Sequence, residues 1–192
     1  MTNLAEPHVM QWTATLYDAA VESGIFGMRR LELIEGEIIE MSPMTSKHAM
    51  VIHKVQRALL RVVPDNHIVV TQAPLDLGEV SEPQPDVAIY AGSEADYMER
   101  KPTHALLVVE VAESSLGFDR GQKASLYAKA GIADYWIVNL RTSTLEVYRT
   151  PVAVETQPYG YGYSAVTPLK RQEYVQILAW PAIAIQVADL LP

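Results

Sequence analysis

The nine residues 104–112, HALLVVEVA, constrain this chain's fold more than any other segment. A near-continuous apolar run of this length is the pattern of a strand buried on both faces, at the centre of a sheet covered by helices. One residue interrupts it. A carboxylate at Glu110 loses several kcal/mol of solvation unless it is paired or binds a metal. The segment therefore predicts a central strand and a function for Glu110, against the simpler reading of a strand-end glutamate that reaches solvent.

The rest of the chain arranges itself around that strand. Residues 12–22 read as a short helix, capped by Thr13 or Thr15 and stopped at Gly24. Residues 31–41, LELIEGEIIEM, are two alternating arms around Glu35-Gly36, a tight β-hairpin. From Ser46, the spacing of Met50, Val51, Val55, Ala58, Leu59 and Val62 predicts an amphipathic helix that ends before Pro64. Strands follow at 67–73 and at 85–90, the second starting on Pro85, where a missing N–H is tolerated. Residues 91–103 read as a polar surface excursion and 114–119 as a loop. Residues 121–130 form a helix ended by Gly131. Strands at 134–139 and 144–149 come next, with a Pro-, Gly- and Tyr-rich loop or long hairpin end over 151–164. The C-terminal part supplies an added strand and a short terminal helix. This order predicts an α/β fold, a mixed β-sheet flanked by helices with an N-terminal β-hairpin, built as one domain over 1–192.

Composition removes several function classes. The 192 residues include no cysteine, which excludes disulfides, thiolate zinc sites and cysteine nucleophiles. Residues 1–15 lack the basic and apolar regions of a signal peptide, and no apolar stretch approaches a membrane span, so a soluble cytoplasmic protein is expected. The net charge of −8 opposes a general nucleic-acid-coating role. It does not oppose a nuclease, because catalytic carboxylates are acidic and a bound divalent ion reverses the local field.

Three residues combine into chemistry. Asp86 stands at a strand start, Glu110 inside the central strand, and Lys123 early in the helix that follows it. Two carboxylates on neighbouring strands suit Mg²⁺ or Mn²⁺, which take oxygen ligands and keep several waters. A lysine beside them can orient a water or neutralise charge on a phosphate. Phosphodiester hydrolysis needs those parts. Taken singly, Asp86 reads as a turn residue, and Lys123 as a solvated helix lysine or as half of an i,i+4 pair with Asp119.

An ordered series of segments along most of the chain resembles the Uma2 family, a bacterial group assigned to the PD-(D/E)XK nucleases. The series runs through LELIEGEIIEMSP at 31–43, His48, EPQPDVA at 82–88, VEVAESSL at 109–116, Asp119-Arg120, Lys123, LYAKAGI at 126–132 and YWIVN at 135–139. The resemblance implies a restriction-endonuclease-like fold, with Asp86 and Glu110 as metal ligands. One departure stands out. The superfamily's lysine would fall at 112, which is Ala112, and Lys123 is its expected substitute from the next helix. Glu37, in the second hairpin arm, is a candidate third acidic ligand or an exposed hairpin glutamate. His48 either faces the site or has no catalytic task, and Gln84 lies close to Asp86. Tyr127 reads as core or site wall, and the tyrosines of 159–163 as loop anchors.

The leading expectation is thus a Mg²⁺- or Mn²⁺-dependent endonuclease that hydrolyses phosphodiester bonds by attack of a metal-activated water, with DNA as the expected substrate. The alternative is a non-catalytic binding or assembly module with the same fold. A homodimer is expected, joined through the 31–41 hairpin or the C-terminal strand.

Overall fold

The computed structural model describes residues 9–192; residues 1–8, half of the stretch in which no signal peptide was expected, lie outside the described residues. Helix α1 (Ala14–Glu22) starts at Thr13, whose hydroxyl accepts the Leu16 amide at 3.3 Å. Strands β1 (Leu31–Ile34) and β2 (Glu37–Glu40) form the hairpin. Glu35 and Gly36 both have positive φ, 49° and 81°, as a two-residue hairpin turn requires. Gly36 is further restricted, because a Cβ there would lie 2.9 Å from Cβ of Gln11.

Helix α2 (Ser46–Leu59) is capped by Thr45, which accepts the His48 amide. It buries Val51, Ile52, Val55, Ala58 and Leu59. Met50, expected on that face, is instead 64% exposed, and Ile52 takes its place. Strands β3 (His67–Val70), β4 (Val87–Ala91) and β5 (Leu107–Ala112) follow. A helical run comes next: α3 (Leu116–Phe118), a π-helical turn (Asp119–Lys123) and α4 (Ala124–Lys129). Gly131 ends it at φ 74°, the left-handed conformation favoured after a helix C-terminus. The chain continues through β6 (Asp134–Asn139), β7 (Thr144–Ala153), β8 (Tyr161–Leu169), β9 (Tyr174–Gln176) and β10 (Ala184–Gln186).

The main sheet has the order β3-β4-β5-β6-β7-β8. Only β5 and β6 pair in parallel, and the helical run makes the crossover that a parallel pair needs. Side chains alternate across this sheet. Val87, Ile89, Val109, Val111, Trp136 and Val138 pack on the α2 side. Ala88, Val108, Ala112, Tyr135, Ile137 and Tyr148 pack on the α4 side with Ala124 and Tyr127. All six residues of β5 are buried, as its apolar run predicts. Glu110 lies between Val108 and Ala112 in the two-residue alternation, so it shares their face.

Several boundaries differ from the sequence reading: β3 ends at Val70 rather than 73, and β5 begins at Leu107 rather than 104. The helix after β5 begins at Leu116 rather than 121, so the segment expected as a loop is mostly helical. Strand β4 begins at Val87, which leaves Asp86 one residue before it. Of the two readings of 151–164, the long hairpin end is the one realised: the segment is largely the extension of β7 and the start of β8. Strand β8 lies at the sheet edge, where Pro168 removes no hydrogen bond from a further neighbour. Strand β10 pairs only with β9, and the hairpin is a separate two-stranded sheet joined to the body by a bridge between Leu33 and Glu82.

Candidate active site

The antiparallel pairing of β4 with β5 ends at Val87 opposite Val109. The next position brings Asp86 beside Glu110: the Asp86 amide donates to Glu110 Oε2 at 3.3 Å, and the Val111 amide donates to Asp86 Oδ2 at 2.9 Å. The first turn of α2 reaches the same point, with His48 Nε2 3.0 Å from Asp86 Oδ2. From the other side, the π-helical turn delivers Lys123. Its Nζ donates to Glu110 Oε1 at 2.8 Å and to Glu32 Oε1 at 3.0 Å. Tyr127, one turn further along α4, donates its hydroxyl to the same Glu110 Oε1 at 2.8 Å.

Glu32, His48, Asp86, Glu110 and Lys123 line a small cavity of about 60 Å³, together with Gln84, Glu113, Ser115 and Asp119. That volume holds a few waters. The sequence candidates Asp86, Glu110, Lys123, His48 and Gln84 all border it. Glu37 does not. It is exposed on β2 and borders a separate pocket with Gln11 and Gly36. The hairpin's contribution to the cavity is Glu32, on the opposite arm, and it is 3% exposed. Glu32 interrupts the apolar pair Leu31 and Leu33 as Glu110 interrupts its own strand, and that signal was available in the sequence. Asp119 is the other carboxylate that sequence reasoning placed only as a helix partner of Lys123. Its Oδ2 accepts from Ser115 at 2.6 Å, while the ion pairs of Lys123 go to Glu32 and Glu110.

Burial governs the electrostatics. Glu32, Asp86, Glu110 and Asp119 are four buried carboxylates around one buried ammonium, Lys123, which is 1% exposed. Desolvation pushes Glu110 up to about 8, against the opposing pull of Lys123 and with the added push of Asp86. Desolvation likewise pushes Asp119 up to about 6. Burial also acts upward on Asp86, but the His48 hydrogen bond and charge and the Val111 amide outweigh it and hold the carboxyl below its ordinary value. For Lys123, burial acts downward, and the charges of Glu110, Glu32 and Asp119 overcome it and keep the amine protonated. Lys123 Nζ also lies 3.0 Å from Glu32 Oε2, yet that oxygen receives no hydrogen bond.

An excess of buried oxygen charge with one unsatisfied oxygen is a setting that a hard divalent cation would neutralise. Among the described residues, no three His, Cys, Asp or Glu side chains form a ready-made metal cage. Asp86 and Glu110 alone fit Mg²⁺ or Mn²⁺ by donor type, since Mg²⁺ is usually held by one or two carboxylates and several waters. Among the described residues, no helix is long and apolar enough to cross a membrane.

The fold is that of a restriction-endonuclease-like α/β protein. The chain belongs to the Uma2 family, whose model, described as "Putative restriction endonuclease", matches residues 25–185. A crystal structure from Anabaena variabilis, described as that of a "putative nuclease belonging to DUF820", shares the fold with a TM-score of 0.63 and 18% sequence identity. The match covers 84% of this chain and 89% of that one. No curated protein matches the chain.

Proposed function

We propose that this protein is a divalent-metal-dependent nuclease that hydrolyses phosphodiester bonds in DNA. The observation that carries the reading is the convergence of Asp86, Glu110 and Lys123 in one buried cavity, with Lys123 Nζ 2.8 Å from Glu110 Oε1 although Ala112 occupies the superfamily's lysine position. Membership of a family described as restriction endonucleases supports it, as does the nuclease description of the Anabaena protein that shares the fold.

Asp86 and Glu110 would hold Mg²⁺ or Mn²⁺. When bound, such an ion supplies Lewis acidity toward a phosphoryl oxygen and toward water. Lys123 supplies a buried positive charge at the cavity, where low dielectric strengthens its attraction for charge that develops on phosphate. Glu32 shares the Lys123 ammonium with Glu110. His48 keeps Asp86 oriented and ionised. Gln84 borders the cavity and would touch a bound strand.

The test is cleavage of duplex DNA, single-stranded DNA and RNA with Mg²⁺ or Mn²⁺, comparing wild type with Asp86→Ala. DNA cleavage that requires metal and disappears in a folded Asp86→Ala protein is the expected result. Cleavage that survives the substitution removes the mechanism, and cleavage of RNA alone changes the substrate. The acidic net charge favours a second reading, a non-catalytic module of the same fold. Calorimetric titration with Mn²⁺ separates the two, because the module predicts no binding that depends on Asp86 and Glu110. We further propose that the protein acts in the cytoplasm as a homodimer; sedimentation with and without duplex DNA tests the dimer.

A further inference from the structure

We infer that Tyr127 is a positioning residue that selects which oxygen of Glu110 meets the metal; this rests on the metal-site reading above. The two carboxylates of the site are held in the same manner. Each has one oxygen occupied by protein donors and the other left open or nearly so. In Glu110, Oε1 accepts from both Lys123 and Tyr127 at 2.8 Å. Oε2 accepts only the Asp86 amide, at the long distance of 3.3 Å. In Asp86, Oδ2 accepts the Val111 amide at 2.9 Å and lies 3.0 Å from His48 Nε2. Among the described residues, no hydrogen bond reaches Asp86 Oδ1.

Both side chains border the cavity, and the open oxygens, Glu110 Oε2 and Asp86 Oδ1, are the ones with lone pairs to spare. A carboxylate can rotate about its last torsion, and that torsion is broad. Two donors on Oε1 stop this rotation. Lys123 cannot do so by itself, because it is shared with Glu32 and could follow Glu110 as it turns. Tyr127 is fully buried on α4 and wedged against Tyr135, with ring centroids 5.0 Å apart. Its hydroxyl is a fixed point. Outer partners of this kind typically change metal affinity ten- to a hundredfold when removed.

Calorimetric titration with Mn²⁺ alone tests this on wild type, Tyr127→Phe and Tyr148→Phe. Tyr148 is the matched control: it is buried in the same aromatic layer, 5.5 Å from Tyr135 between ring centroids, but its hydroxyl donates to Glu146, which does not border the cavity. The expected result is Mn²⁺ binding about tenfold weaker in Tyr127→Phe and unchanged in Tyr148→Phe, with both proteins folded by circular dichroism. Unchanged binding in Tyr127→Phe overturns the inference and leaves the metal site standing. Equal weakening in both variants also overturns it, since the effect would then be one of packing. Absence of Mn²⁺ binding by wild type overturns the inference and the metal-site reading together.

Discussion

Glu110 and Glu146 are two buried carboxylates in the same sheet, each paired in register with Ile137, one on β5 and the other on β7. Their surroundings are opposite. Glu146 accepts from Arg120 at 2.6 and 2.9 Å, from Asn139 at 2.8 Å and from Tyr148 at 3.0 Å. Several donors serve one charge. Although burial acts upward, those hydrogen bonds hold Glu146 below the ordinary glutamate value. Glu110 shares its lysine with Glu32 and has Asp86 and Asp119 nearby, and it is pushed up. Burial by itself therefore does not mark a functional carboxylate. A charge that its neighbours leave uncompensated is the stronger candidate.

The largest test of this contrast is activity. Asp86→Ala or Glu110→Gln should lower metal-dependent DNA cleavage by at least about a thousandfold, since the Lewis acid contributes several kcal/mol. Stability comes next. Lys123→Met leaves the surrounding carboxylates without their cation and should destabilise the metal-free protein by about 3 kcal/mol or more in urea titration. Glu146→Gln should lose less, about 1–3 kcal/mol, because Arg120 is half-exposed and regains water, and its cleavage rate should stay within about threefold of wild type. A large loss of cleavage in a folded Glu146→Gln protein would erase the distinction.

The smallest effect is one of sign with pH. A raised carboxyl such as Glu110 contributes stability that is complete below its unfolded value and is lost as pH rises through about 8. A lowered one such as Glu146 contributes stability that is present above its unfolded value and is lost as pH falls through its depressed value. Glu110→Gln should therefore flatten the loss of metal-free stability between about pH 5 and 8, whereas Glu146→Gln should flatten only the acid side. Thermal denaturation across pH without divalent ions reads both slopes.

Much of this arrangement was legible along the chain because apolar runs expose their exceptions. Glu110 interrupts a buried strand, so both the strand and the anomaly could be read. Glu32 carried the same signal in a shorter segment, where Leu31 and Leu33 look like ordinary hairpin alternation and only docking against Lys123 reveals the burial of all four residues of β1. The early start of the helix was hidden by Gly117 and Gly121, poor helix formers that favour a loop reading. One local bond and one tertiary bond override them: Ser115 donates to the Asp119 side chain four residues on, and Tyr135 donates to the Asp119 carbonyl. Strand β8 was legible only as the long-hairpin reading of 151–164, because its Tyr-Gly alternation equally resembles a turn-rich loop.

The π-helical turn at Asp119–Lys123 has a consequence for how this protein can vary. A wide turn inserts a residue into the helical path, so the part after it is rotated by about 100° relative to an uninterrupted α-helix. Lys123 closes that turn and Tyr127 follows it, and both end on the same oxygen of Glu110. The turn thus acts as a phase setting between chain and cavity. Substitutions at its outward positions leave the phase alone, whereas loss of one residue would turn α4 and carry Tyr127 away from Glu110. The length of this segment is as much a part of the site as the identity of any residue in it.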